Sequence, residues 1–283
     1  MGILREIEEA GGLGQRVLHY RESTPSTNTL ALALGREGAP AGTVVLAESQ
    51  SQGRGRLGKS WLSPPAGGLY FSLILRSRLA PEELARITLV AGLGACLALE
   101  EHTGLRPRLK WPNDLLLAGK KGGGILAECG WSGQTPTTLV VLGVGLNVAT
   151  PLAAFPAELQ GKATSLLLAS GREYSRGALL PVLLRHLERV LARLEEGEFP
   201  TLLAAWRERD AHLHATLRWL TPDGQVVAGR SLGPDESGLL HIQDQEGIIH
   251  PVLSGDLELL APRGESGRGC DAPPPPAPNN AAP

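Results

Sequence analysis

A glycine-rich, basic segment at residues 50–72, here called the glycine-basic loop, has the composition of an anion-binding loop. Its sequence is QSQGRGRLGKSWLSPPAGGLYFS, in which Arg54, Arg56 and Lys59 alternate with glycines and precede Trp61. Glycine permits positive φ and a close approach of backbone to ligand. Successive backbone N–H groups in such turns bind anions, and arginines add fixed charge. The segment predicts a local anion site, although a flexible basic surface loop has the same composition.

Four other short segments combine polar side chains with tight turns. They are STN at residues 26–28, KWPND at 110–114, KGGGILAE at 121–128 and GVGLN at 143–147. Glycines inside an apolar strand often mark a place where a ligand or another backbone comes close. Each segment is a weak signal by itself, whereas their order and spacing along one chain are specific.

The composition of the chain indicates which class of protein carries these segments. The chain has 283 residues, 42% apolar and 20% charged, with a formal net charge of −2. These values indicate a water-soluble globular protein of one large domain or two ordinary ones. A near-neutral chain is not an electrostatic nucleic-acid binder as a whole, so an anion site must be local.

Cysteine, histidine and hydropathy patterns bear on compartment and metal binding. Cys96, Cys129 and Cys270 are odd in number and form no CxxC pair, which argues against a disulfide framework or a zinc site. His212 and His214, on a predicted strand, make a poor two-ligand metal site, so no metal ligands are assigned. The N-terminus does not resemble a signal peptide, and no apolar run is long enough to span a membrane. We expect a cytoplasmic protein without membrane association.

The elements that must position these segments form an α+β pattern. Helices are predicted from Ser26 or Thr27 to Arg36, from Pro81 to Gly104 and from Ser175 to Leu194, with apolar strands between the motifs. After residue 211, short alternating strands separated by turn signals predict a small β-barrel. Residues 263–283 are rich in proline, glycine and alanine without periodicity, which predicts a disordered tail.

Taken together, GRGRxGxxW, KWPND, KxxGIL and GxGxN resemble the motifs of the biotin protein ligases (biotin–[acetyl-CoA-carboxylase] ligases), in the family's order, over residues 17–262. The resemblance implies a catalytic domain of the class II synthetase or biotin ligase type, with a mixed β-sheet and flanking helices, followed by a small SH3-like β-barrel. The expected organisation is an N-terminal extension at 1–15, the catalytic domain at 16–211, the barrel at 212–262 and the tail at 263–283.

The resemblance also implies a reaction in two steps. Biotin and ATP give biotinyl-5′-AMP and pyrophosphate, and a lysine of a biotin carboxyl carrier domain then takes the biotin and releases AMP. Mg²⁺ is expected with ATP, and no tightly bound prosthetic group is expected. Both steps depend on positioning and on neutralising the charge of two anions that must meet. A homodimer and the identity of the acceptor are left open.

Catalytic and nucleotide-binding roles are implied for the cationic and polar motif residues. Lys121 matches the lysine beside the biotin carboxylate and the α-phosphate, and Arg56, with Arg54, matches the arginines that gather phosphates and close over the adenylate. The further nucleotide contacts implied are Trp61 beside adenine, Lys110 facing the triphosphate, Asn113 and Asp114 near phosphate or metal, and Asn147 near adenine or ribose. Trp61 as a core residue and Asn147 as a structural one are the alternatives.

Biotin contacts are implied for a second group of residues. The ureido ring is neutral and polar, so its site needs hydrogen-bond donors and acceptors rather than charge. By family match, Ser26, Thr27 and Gln50 supply side chains, Arg54 lies nearby, and backbone groups around Gly53 and Gly124 supply the rest. Ser26 also has the sequence position of a helix cap. Residues 53–59 are expected to be mobile without ligand and to order over biotinyl-AMP.

Two departures from the family pattern produce further expectations. Family members that act as repressors carry an N-terminal winged helix-turn-helix, and residues 1–15 are too short for that fold, so no specific DNA binding is expected. In the C-terminal segment GRSLGPDESGLL, some members have an arginine where Leu232 stands, and Arg230 could replace it as a nucleotide contact. The alternatives are a lipoate or octanoyl protein ligase of the same fold and a non-enzymatic biotin-sensing regulator.

Overall fold

A seven-stranded mixed sheet forms the centre of the part of the chain described by the computed structural model, which covers residues 2–130, 137–220, 225–252 and 257–259. The strand order is β1-β2-β3-β7-β6-β5-β4, with β1 and β2 parallel and every other pair antiparallel. The strands are β1 (Leu18–Thr24), β2 (Val44–Gln50), β3 (Gly68–Ser77), β4 (Arg108–Lys110), β5 (Asp114–Leu117), β6 (Lys120–Gly130) and β7 (Thr138–Asn147).

Helices cover both faces of this sheet, and the central strands therefore read as continuous apolar runs rather than alternating ones. In β2, Val44 and Leu46 face the main core with α3, α6 and α7, whereas Val45 faces α2. The helices are α1 (Ile3–Glu9), α2 (Thr27–Arg36), α3 (Ala85–Thr103), α4 (Ala157–Gln160), α5 (Leu166–Ser170), α6 (Arg176–Glu195) and α7 (Phe199–Glu208). The predicted mixed sheet with flanking helices is confirmed.

Local signals explain where the long helices begin and end. A 3₁₀ turn at Pro81–Glu83 leads into α3, which ends at Gly104, whose φ of +71° suits glycine. The hydroxyl of Ser175 accepts a hydrogen bond from the Ala178 amide at 3.0 Å and so caps α6. No helix among the described residues has the length and apolar character needed to cross a membrane.

A second, smaller antiparallel sheet follows α7. Its strand order is β11-β10-β9-β8-β12, formed by β8 (Thr216–Leu220), β9 (Val226–Pro234), β10 (Leu240–Gln243), β11 (Ile249–Val252) and β12 (Leu257–Leu259). Within the described residues, β11 and β12 each pair with one neighbour, so closure into a barrel is not seen. The predicted strand at His212 and His214 is wrong: both lie in the turn before β8, and His214 has a φ of +65°.

The small sheet is attached next to the strands that carry KWPND. The Leu109 amide donates to the Arg209 carbonyl, and the Ala211 amide donates to the Leu109 carbonyl, both at 2.8 Å. Trp111 Nε1 donates to the carbonyl of Gly238 at 2.9 Å. The change from helix to short strands after α7 is compatible with a boundary near residue 211, which stays a prediction. The predicted tail at 263–283 lies outside the described residues.

Candidate functional site

A cavity of about 360 Å³ lies where the glycine-basic loop covers β5, β6 and β7. Its size is within the range of pockets that hold small molecules. It brings together segments that are far apart in the sequence, and every predicted site residue except Gly53 lines it. Those lining residues are Ser26, Thr27, Gln50, Arg54, Arg56, Trp61, Lys110, Asn113, Asp114, Lys121, Gly124 and Asn147.

Gly53 is not among the residues that line the cavity, and a contact of its backbone with a ligand stays a prediction. Its carbonyl instead accepts a hydrogen bond from the Trp61 amide at 2.8 Å. A Cβ at this position would lie 2.4 Å from the Trp61 carbonyl oxygen. Gly53 is therefore required for the close approach of the two sides of the loop.

The loop itself is a hydrogen-bonded hairpin. Bridges join Gln50 to Ser63 and Arg54 to Ser60, and the Gly55 amide donates to the Lys59 carbonyl at 2.6 Å. At its tip is a 3₁₀ turn, Arg56–Gly58. This folded geometry places both arginines among the residues that line the cavity. The expected mobility of residues 53–59 without ligand concerns dynamics and stays a prediction.

Trp61 lies inside the cavity on a floor made by glycines. An added Cβ at Gly145 would be 2.5 Å from its Nε1, and one at Gly124 would be 3.5 Å from its ring. Its Nε1 is buried and has no hydrogen-bond partner among the described residues. The glycines of the two strand motifs thus make room for the indole, which leaves one donor for a ligand to satisfy.

Lys121 lines the cavity from β6, next to β5. Its Nζ lies 2.6 Å from Asp114 Oδ1 and 5.5 Å from the centroid of the Trp61 ring. Its backbone is also fixed, because its amide donates to the Lys162 carbonyl and its carbonyl accepts from the Thr164 amide, both at 2.9 Å. The ammonium group is therefore oriented before any ligand binds.

Arg54 and Arg56 have different surroundings although they are two residues apart. The guanidinium of Arg54 turns to the rim and pairs with Glu128 at 3.0 Å. The guanidinium carbon of Arg56 lies 5.9 Å from the Trp111 ring centroid. Burial lowers the pKa of Arg56, and the charge of Asp114 opposes that effect. Arg56 is thus a partly desolvated cation that an entering anion would stabilise.

The KWPND turn is held by hydrogen bonds to neighbouring backbone. Asn113 Nδ2 donates to the Ile125 carbonyl at 3.0 Å, and Lys110 Nζ lies 3.4 Å from the Leu257 carbonyl. Asn147 is buried, with its Nδ2 donating to the Thr164 carbonyl at 2.9 Å. For Asn113 and Asn147, the amide nitrogen therefore has a structural partner.

The other end of the cavity is neutral and rich in hydrogen bonds. The Thr27 amide at the start of α2 donates to Gln50 Oε1 at 2.8 Å, and Gln50 Nε2 donates to Ser63 Oγ at 2.9 Å. Gln50 thus performs the capping predicted for Ser26, whose side chain forms no cap hydrogen bond. Asn28, which was not assigned a role from the sequence, bonds to Ser72 and Glu128 in the same region.

The cavity carries an excess of positive charge. Within the described residues that line it, Asp114 is the one carboxylate. Six cationic side chains line the cavity with it, namely Arg54, Arg56, Lys59, Lys110, Lys121 and Lys162. Such a cavity favours the binding of a polyanion, because clustered cations focus the electrostatic field in a cleft of low dielectric.

Several lining residues carry no motif that the sequence could reveal. Phe155, Leu159 and Lys162 reach the cavity because the backbone around residue 163 pairs with Lys121. Leu257 comes from the small sheet. Arg230 is exposed on β9 and is not among the lining residues, so the structure gives it no contact with this cavity.

Three comparisons relate the chain to known proteins. The sequence profile of the biotin/lipoate A/B protein ligase family matches residues 20–147. The biotin–[acetyl-CoA-carboxylase] ligase of Mycobacterium tuberculosis is 34% identical over 262 residues, covering 91% of this chain and 94% of that protein. The bifunctional ligase/repressor BirA of Bacillus spizizenii is also 34% identical over 262 residues, covering 91% of this chain and 80% of the relative.

The fold is also similar to that of a solved biotin protein ligase. The solved structure of the biotin protein ligase from Aquifex aeolicus in complex with biotin and ATP superposes with a TM-score of 0.74 at 31% identity. The match covers 86% of this chain and 98% of that one. By sequence and by structure, the chain belongs to the biotin protein ligase family.

Proposed function

We propose that this chain is an ATP-dependent biotin protein ligase, which joins biotin to a lysine of a biotin carboxyl carrier domain through biotinyl-5′-AMP. The observation that carries the proposal is the two-ended cavity. Lys121, Arg56 and Lys110 lie around Asp114 at one end, and the hydrogen-bonded start of α2 lies at the other. A triphosphate suits the first end, and the neutral, polar ureido ring of biotin suits the second.

In the first step, a carboxylate oxygen of biotin attacks the α-phosphorus of ATP. A new phosphorus–oxygen bond forms, the bond to the bridging oxygen breaks, and pyrophosphate leaves with its charge. We assign Lys121 to the region between the two anions, where its ammonium group would offset the charge of the transition state. Asp114, 2.6 Å from Lys121 Nζ, holds that group in place. Arg56 would balance the phosphates.

In the second step, the neutral amine of the acceptor lysine attacks the acyl carbon of the mixed anhydride. The carbon–oxygen bond to AMP breaks, AMP leaves, and the amine loses a proton to give the amide. The hairpin of the glycine-basic loop lies over the cavity, so it would shield the anhydride from water until the acceptor arrives. We assign nucleotide stacking to Trp61, whose Nε1 also remains available as a donor.

Mg²⁺ is proposed to enter as part of the substrate, bound to ATP. Magnesium commonly uses phosphate oxygens, waters and one or two carboxylates rather than an all-protein cage. Asp114 supplies a carboxylate among the residues that line the cationic end. The described residues contain no cluster of three or more histidine, cysteine or acidic side chains that could hold a metal by themselves.

Two further assignments belong to this proposal. The small C-terminal sheet is proposed to be the SH3-like module expected from the resemblance, with its apolar residues Leu217, Leu240 and Val252 in the continuous core. A cytoplasmic location is proposed from the number and spacing of the three cysteines, of which Cys96 is buried.

The direct test is biotin-dependent pyrophosphate release, followed by transfer of biotin to a purified carrier domain. We expect Lys121→Ala to lose adenylate formation, because it removes the ammonium group that is proposed to offset the charge of the transition state. Lys120→Ala is the matched control, since Lys120 is the adjacent, exposed lysine of the same strand. Wild-type turnover in Lys121→Ala would refute the role of Lys121. Adenylation of lipoate instead of biotin by the wild type would favour a lipoate ligase.

A further inference from the structure

Glu128 occupies a position between the glycine-basic loop and the start of α2. Its Oε2 lies 3.0 Å from Arg54 Nη2 on one side and 2.7 Å from Asn28 Nδ2 on the other. Glu128 itself does not line the cavity, whereas both of its partners do. A carboxylate beside a cavity for anions would repel its ligand unless a cation compensated it, and Arg54 supplies that compensation.

The contacts continue from Glu128 across the neutral end of the cavity. Asn28 Oδ1 lies 2.6 Å from the Ser72 hydroxyl, which is 2.8 Å from the Thr27 hydroxyl. Thr27 then contacts Gln50, and Gln50 reaches Ser63 on the far side of the loop. One continuous network therefore joins Arg54, the start of α2 and the returning strand of the hairpin.

Packing leaves Asn28 little freedom within this network. A Cβ at Gly143 would lie 2.1 Å from Asn28 Oδ1, so only glycine at position 143 accommodates the amide in this position. Asn28 Nδ2 also donates to the Leu126 carbonyl at 3.2 Å. Because Asn28 is confined, its bond to Glu128 fixes the carboxylate, and the carboxylate in turn determines where Arg54 can pair.

We propose that Glu128 is a positioning residue, which holds the glycine-basic loop over the cavity through Arg54 and couples the loop to the start of α2. This inference rests on the proposed ligase function. It separates the two loop arginines: Arg54 holds the loop, and Arg56 faces the phosphates. The side chains of Arg54 and Glu128 are 44% and 26% exposed, so their ion pair is weak enough to open for ligand entry.

The test measures release of biotinyl-AMP formed on the full chain, by rapid filtration after dilution into excess unlabelled biotin and ATP. Glu128→Gln keeps an amide oxygen that can accept from Asn28, and it removes the charge that pairs with Arg54. We expect release to be about threefold to fivefold faster, as for the loss of a half-exposed ion pair. The rate of adenylate formation in a single turnover at saturating biotin and ATP is expected to be unchanged.

A double-mutant cycle identifies the pair itself. Arg54→Met should accelerate release at least as much as Glu128→Gln, because it also leaves the Glu128 carboxylate uncompensated beside the anion. The double variant should be no faster than Arg54→Met, because the ion pair is already absent in that variant. Raising the salt concentration should accelerate release from the wild type more than from Glu128→Gln. Glu188→Gln is the control, since it removes an ion pair of similar exposure with Arg16, at 2.5 Å, away from the cavity.

The outcomes separate the two proposals. If the wild type forms no adenylate, the ligase assignment fails, and the role of Glu128 fails with it. If the wild type retains adenylate but Glu128→Gln and Arg54→Met release it at the wild-type rate, the positioning role alone is refuted. The same refutation follows if the two substitutions multiply in the double variant. Arg54→Met changes an exposed residue, so it tests the pair even if Glu128→Gln folds poorly.

Discussion

Replacing Gly145 by alanine should disturb the cavity by moving Trp61. A Cβ at position 145 would lie 2.5 Å from Trp61 Nε1 and 2.6 Å from Cε2, and since ordinary contact begins near 3.4 Å, the ring must retreat by about 0.9 Å. The strand backbone cannot give way, because Gly145 pairs with Tyr70 on β3 and with Gly124 on β6. The indole belongs to a loop and is therefore the part that moves.

The size of the effect follows from what the indole loses. Trp61 is partly buried, so full ejection would expose at most about 150–250 Å² of aromatic surface, at a cost of at most about 4–6 kcal/mol, and a shift within the cavity is favoured. Overpacking of this kind costs about 1–3 kcal/mol. The contact between Lys121 and the Trp61 ring weakens at the same time. We expect a loss of about 1.4 kcal/mol in adenylate retention, which is about tenfold in the release rate.

The assay is release of biotinyl-AMP after rapid dilution, together with a denaturant titration. Because the strained indole is present in the ligand-free protein too, the free energy of unfolding should fall by about 1–3 kcal/mol while release accelerates. Gly161→Ala is the matched control, since Gly161 has an ordinary φ of −80° and no heavy atom near an added Cβ. Wild-type retention in Gly145→Ala would refute the placement of Trp61 on the strand glycines.

Two further predictions concern buried charges outside the cavity. Arg176→Met should lower the free energy of unfolding by about 3 kcal/mol, because it leaves the partly buried Glu48, 2.8 Å from Arg176 Nη1, without its ion-pair partner. Arg176→Met with Glu48→Gln should recover part of the loss in urea denaturation. Burial raises the pKa of Asp210 to about 6, against the opposing charges of Arg108 and Arg207. The folded state therefore binds more protons than the unfolded state between about pH 6 and pH 4. The free energy of unfolding falls as pH rises through that window. Asp210→Asn should therefore stabilise the protein at pH 7.5 by up to about 3 kcal/mol, and this gain should disappear toward pH 4. An equal gain at both pH values would contradict the raised pKa of Asp210.

The resemblance to the family's motifs, in their order and spacing, was sufficient to name most of the motif residues that line the cavity. It was not sufficient to identify their mutual contacts. Gln50 bonds to the amide of Thr27 only because β1 and β2 pair in parallel with Thr24 opposite Gln50. That register is a property of the whole sheet, and a capping signal at Ser26 cannot reveal it. The role of Glu128 could likewise not be predicted from its motif, since its partners Asn28 and Arg54 come from other elements.

For Gly53, the sequence suggests a contact with a ligand, since glycine in a basic loop is typical of an anion site. In the folded chain the requirement is internal: the Gly53 carbonyl is occupied by the Trp61 amide, and a side chain would collide with the returning strand. The lining by Phe155 and Leu159 was not predictable, because it depends on backbone pairing between residue 163 and Lys121. Side-chain types predict which chemistry is present, and long-range backbone pairing determines which groups face it.

The two ends of the glycine-basic loop are held by interactions of different strength, and this difference limits where the loop can move. Behind its C-terminal end, Glu48 accepts from the Ala66 amide at 2.9 Å and pairs with the buried Arg176, which also donates to the Gly68 carbonyl at 3.2 Å. Near its N-terminal end, the pair of Arg54 with Glu128 is half-exposed. Because a buried, multiply bonded pair opens far less readily than a half-exposed one, motion should concentrate between Arg54 and Ser60. That segment carries Arg56, so the opening that admits ATP would also withdraw the cation that later retains the adenylate.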